Sequence, residues 1–99
     1  MLELALDEAR AAAGAVVHGR VHAEGAAPVV IELVRIERSP SGYATYHVAR
    51  AVSDPDGSFA LPVPDRTPPD VEGRDCSLHY ALRALADGEE AREAFSVCA

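Results

Sequence analysis

The sequence predicts an all-β domain folded as an antiparallel β-sandwich. Apolar and polar residues alternate with a period of two along most of the chain, the signature of strands with one buried face. Turn chemistry rich in Pro, Gly, Asp and Ser recurs about every 8 to 15 residues between these runs, the spacing of a sandwich rather than of a helical or α/β domain. A length of 99 residues with 48% hydrophobic and 25% charged residues suits one globular domain over residues 1–99 with one modest core, and leaves no room for a second.

The elements follow in order. "LELALDEARAAAG" is ambiguous: Ala, Leu, Glu and Arg favour helix, and Leu2, Leu6, Ala9 and Ala13 share a helical face. Leu2, Leu4 and Leu6 also alternate with Glu3, Ala5 and Asp7 as in a half-buried strand, and Gly14 breaks the run. Both conformations fit locally. In "AVVHGRVHAE", Val17, Gly19, Val21 and Ala23 alternate against His18, Arg20, His22 and Glu24, which predicts a strand. "APVVIELVRIER" predicts another, opened by Pro28, and its alternation slips between Leu33 and Val34, where a bulge is expected.

"SPSG" at 39–42 predicts a hairpin loop, and "YATYHVARAV" its return strand, with Tyr46, Val48 and Val52 on the apolar face. "SDPDGS" predicts a further hairpin turn, followed by the alternation of Phe59, Leu61 and Val63. A segment holding Pro62, Pro64, Pro68 and Pro69 comes next. A stiff link with few backbone donors suits a connection that leaves one sheet and enters the other. Leu78, Tyr80, Leu82 and Ala84 then alternate against Ser77, His79, Ala81 and Arg83. Seven strands result if the amino terminus is extended.

Cys76 and Cys98 flank the last hairpin. With Asp87 and Gly88 as a type I′ turn, Ala86 pairs with Glu89, Tyr80 with Phe95 and Leu78 with Val97. This register matches apolar with apolar and sets the cysteines on opposite faces, so free thiols are expected, as in a reducing cytosol.

The ordered set "LELALD", then Gly14, Val17, Gly19 and Val21, then "FALPVPDRTPPDVEG", then Tyr80, Leu82 and Ala84, resembles the amino-terminal module of the arrestin family across nearly the whole chain. The resemblance implies a seven-stranded immunoglobulin-like sandwich and favours strand for "LELALD". Two departures stand out: Asp70 follows Pro68 and Pro69 where the family usually has Ser, and the second arrestin module is missing.

Little in the sequence points to chemistry. On a strand, His18 and His22 lie about 13 Å apart at roughly 3.3 Å per residue, too far to share a metal; His47 or His79 would have to approach across a sheet. "SDPDGS" lacks the ligand spacing of a calcium loop, and Asp65, Asp70, Glu72 and Asp75 read as a solubilising cluster. No phosphate loop, nucleophile elbow or paired cysteine ligands are present. The expectation is therefore no enzyme, with no catalytic, cofactor-binding or metal residues and no cofactor. Net charge −7 disfavours nucleic acid as a partner, no apolar run of membrane-spanning length occurs, and an acidic amino terminus argues for a cytoplasmic protein.

The function expected is a non-catalytic protein-binding or scaffold module, with a protein partner or self-association through a free sheet edge. "PVPDRTPP" as a ligand for an aromatic groove is a weaker reading of the proline segment. The alternative is a carboxypeptidase-regulatory or transthyretin-like accessory domain with a structural or carbohydrate-contacting role, which "VSDPDGSFALPVP" also resembles. The enzyme of that superfamily, hydroxyisourate hydrolase, closes on Tyr-Arg-Gly-Ser, absent from the ending "AFSVCA".

Overall fold

A computed structural model describes residues 2–24, 28–66, 68, 71 and 76–98. Eight strands run in chain order: β1 Glu3–Leu6, β2 Arg10–Ala12, β3 Val16–His22, β4 Val30–Ser39, β5 Gly42–Val52, β6 Ser58–Pro62, β7 Cys76–Ala86 and β8 Glu89–Cys98. They form a three-stranded sheet of order β1-β3-β6 and a five-stranded sheet of order β2-β8-β7-β4-β5. The all-β expectation and the two layers hold. No helix among the described residues is long and apolar enough to cross a membrane.

The strand count differs from the expected seven because the amino-terminal segment forms two strands, one in each sheet. β1 pairs antiparallel with β3, Leu4 facing the core between the half-buried Leu2 and Leu6. The chain then crosses over, and β2 runs parallel to β8, tied by Ser96 N–H to the Ala9 carbonyl at 3.0 Å and Ala13 N–H to the Cys98 carbonyl at 2.9 Å. The helix propensity of this stretch is worth only a few tenths of a kcal/mol per residue, roughly, and loses to burial and ladder hydrogen bonds. The parallel β2–β8 pair also departs from an all-antiparallel sandwich.

Alternating side chains from both sheets meet in one apolar cluster. Leu4, Val17, Val21, Phe59 and Leu61 come from the smaller sheet, and Ile31, Leu33, Tyr80, Leu82, Ala84, Phe95 and Val97 from the larger. At about 1.5–3 kcal/mol for each large aliphatic or aromatic side chain fully buried, this cluster is the main source of stability.

Two of the expected turns form as read. Pro40 and Ser41 link the paired Ser39 and Gly42, and Asp87 and Gly88 have φ of 47° and 80°, the positive values a type I′ turn needs, between paired Ala86 and Glu89. The expected bulge is also present, with the β4–β5 register shifting between Leu33 and Val34. The "SDPDGS" turn, however, is not a hairpin. It carries the chain from β5 in one sheet to β6 in the other. The proline segment likewise joins β6 to β7 in the opposite sheet, as its composition suggested; Thr67, Pro69, Asp70, Glu72 and Asp75 lie outside the described residues.

The expectation of free thiols is overturned. Cys76 and Cys98 form a disulfide with an S–S distance of 2.01 Å. The predicted register holds from Ala86–Glu89 to Tyr80–Phe95, and a bulge between Ser77 and Tyr80 then shifts it by one residue. Ser77 consequently pairs with Val97 and Cys76 with Cys98. Leu78, expected in the core, is 79% exposed, while Ser77 is 1% exposed. Polar contacts make the exchange tolerable, since Ser77 Oγ accepts from His79 N–H at 3.3 Å and from Arg35 Nη1 at 3.5 Å. The disulfide also removes the thiol argument for a reducing compartment.

Candidate functional site

The feature best suited to an interaction is strand β5. It is 11 residues long and, at the end of the five-stranded sheet, pairs only with β4, so among the described residues no strand satisfies its outer edge. The other sheet-edge strands are shorter: β1 has 4 residues, β2 has 3, and β6 has 5 and ends in Pro62. Protective devices on edges are usually charges, prolines or brevity. β5 contains no proline and no acidic residue, and its one full charge is Arg50.

Register assigns the two faces of β5. Ala44, Tyr46, Ala49 and Ala51 pair with Glu37, Arg35, Leu33 and Ile31, positions in phase with the core. Tyr43, Thr45, His47, Arg50 and Val52 pair with Arg38, Ile36, Val34, Glu32 and Val30 and face outward. Val48, skipped by the ladder at the bulge, is half-buried against the core. The predicted apolar face of Tyr46, Val48 and Val52 is thus broken by the bulge. Ala44, Ala49 and Ala51 take three of the four inward places, and Tyr43, Tyr46 and Val52 remain 72%, 51% and 56% exposed. Sequence alternation missed the edge because it ranked Tyr46 and Val52 as core together with Val48 and gave Tyr43 no place. The signal available was the run of alanines between them, too small to fill a core layer.

A line of charges secures β5 to the sheet. Buried Glu32 on β4 bonds His47 Nδ1 on β5 through Oε2, and its Oε1 lies 3.5 Å from Arg83 Nε on β7. Arg83 Nη1 lies 3.6 Å from Glu90 Oε1 on β8, which Arg92 Nη2 also meets at 3.2 Å. Partnering a buried carboxylate on two sides is what makes its burial affordable. Arg38 stands over the Tyr43 ring at 5.9 Å, giving the hairpin end of the edge a cation. The far end of β5 runs into the turn containing Asp54 and Asp56. There Ser58 donates from Oγ at 2.7 Å and from its backbone N–H at 3.0 Å to Asp56 Oδ1, and these bonds hold that carboxyl below its ordinary 3.8. The edge is therefore basic at one end and acidic at the other.

The histidines do not converge. His18 and His22 are both exposed on β3, while His47 and His79 belong to the other sheet. Among the described residues no group of three His, Cys, Asp or Glu side chains is placed to hold a metal. A cleft of about 580 Å³ at one end of the sandwich is lined by Arg35, Glu37, His47, Val48, Pro64 and Tyr80, among others. Arg35 there stands 5.3 Å from the Tyr80 ring centre and pairs with Glu37 at 3.1 Å, contacts that fix the guanidinium to the protein itself. No family model, curated protein or solved structure matches the chain.

Proposed function

We propose that this protein is a non-catalytic interaction module that binds a protein partner by accepting its extended strand along β5. The observation that carries this reading is an 11-residue edge, unpaired among the described residues, with exposed Tyr43, Tyr46 and Val52. Main-chain hydrogen bonds to a free edge supply affinity, and side chains on alternate faces supply selectivity. The strand order β1-β3-β6 against β2-β8-β7-β4-β5 supports an immunoglobulin-like connectivity with a split first strand, and the sequence resemblance to the arrestin amino-terminal module points the same way. Fold alone does not determine function, so the edge and not the kinship bears the weight.

The test is a backbone-amide spectrum of labelled protein titrated with a strand-forming peptide of eight residues alternating valine and threonine. Resonances of Gly42–Val52 are expected to move while those of β1 and β6 stay. No shifts, or shifts confined to other strands, would remove β5 as the site.

A further inference from the structure

Resting on the reading of β5 as the binding edge, we infer that the strand it accepts is β5 of a second copy of this chain, joined antiparallel about a two-fold axis. Three features select this occupant. First, the charge polarity of the edge is self-complementary. Antiparallel pairing brings the Arg38–Tyr43 end of each copy alongside the end of the other that leads into Asp54 and Asp56, twice per dimer. Parallel pairing would set like ends together.

Second, the bulge determines which registers keep inward side chains opposite inward ones. In an unbulged strand, a two-fold register centred between two residues places every inward side chain opposite an outward one. The slip at Val48 reverses that parity. With the axis between His47 and Val48, Tyr43 lies opposite Val52 of the second copy, Ala44 opposite Ala51, Thr45 opposite Arg50 and Tyr46 opposite Ala49, each pair on one face. Moving the axis one residue on preserves the faces but sets Arg50 against His47 and leaves Tyr43 outside the strand, so the first register is preferred. It also uses nearly the full length of β5.

Third, it covers exposed apolar groups. Tyr43 and Val52 form an aromatic and β-branched cross-strand pair, a favourable combination, and Tyr46 closes over Ala49. The net charge of −7 on each copy opposes association. Charges farther apart than the Debye length of about 8 Å at physiological salt are largely screened, so contacts at the edge outweigh it.

The experiment is sedimentation equilibrium of the full chain and of two variants at exposed Thr45, which the register sets opposite Arg50 of the second copy. Dimer formation is expected for the parent chain. Thr45→Glu should tighten the dimer by about threefold to tenfold and Thr45→Arg should weaken it by a similar factor, because the altered pair occurs twice. A dimer indifferent to both substitutions, or shifted the same way by both, would overturn the inference by placing the contact elsewhere. A strict monomer whose Gly42–Val52 amides still respond to the valine–threonine peptide would overturn the second copy and leave β5 as an edge for another protein's strand. A monomer with no peptide response would remove both.

Discussion

Gly19 shows how a single position holds the smaller sheet together. It pairs across β3 and β6 with Phe59, and a Cβ at that point would come within 2.6 Å of the Phe59 ring and 2.7 Å of the Ala5 carbonyl oxygen. The ring therefore lies over the glycine, filling the space that its missing side chain leaves on the strand. Gly19→Ala should lower unfolding stability by about 1–3 kcal/mol, since both neighbours must shift to admit one methyl group. Chemical denaturation of the variant checks this, and an unchanged midpoint would mean that the ring is not seated there. The sequence placed Gly19 on the inward face beside Val17 and Val21. Which aromatic covers it depends on a partner forty residues away, beyond the reach of local periodicity.

Among the elements, the β7–β8 hairpin shows two effects competing. Turn chemistry and apolar matching set the register from Asp87–Gly88 back to Tyr80–Phe95, and that much was legible. Matching then favours burying Leu78, worth about 1.5–3 kcal/mol. The bulge gives up that burial and aligns two cysteines 22 residues apart, whose disulfide is worth about 3 kcal/mol by loop closure, with Ser77 satisfied by its own hydrogen bonds. The near balance explains why the pattern alone pointed the wrong way. The bulge at Leu33–Val34 was visible because there both faces became apolar. The one at Leu78–His79 interrupts an apparently regular alternation. The intact chain should be lighter by two hydrogens than its reduced form in a mass spectrum taken without reductant. The double variant Cys76→Ser, Cys98→Ser should lose about 2–4 kcal/mol of stability by denaturant titration. A full-mass chain, or a variant as stable as the parent, would contradict the clamp.

At the scale of the molecule, the described residues of the sandwich close its apolar faces but not its edges, and the edges differ. The smaller sheet ends in short strands, one of them terminated by proline, while the larger ends in β5 at full length. Two layers could be read from alternation and turn spacing, and a free edge could be anticipated for any open sandwich. Which edge remained could not be read, because it depends on the chain crossing between sheets at 53–57 rather than turning back as a hairpin, and on the bulge that turns Tyr46 and Val52 away from a common face. The charge line from His47 through Glu32 to Arg83 was likewise hidden, since the β4–β5 hairpin that carries the first two meets β7 only in the folded sheet.

Hydrogen exchange along β5, followed at high and low protein concentration, tests the pairing of this edge with a second copy most directly. Amides of Gly42–Val52 that point away from β4 should be protected at high concentration and exchange freely on dilution, while those of β4 and β7 stay protected throughout. Protection of β5 that does not change with concentration, or a change seen instead along β1 or β6, would contradict it.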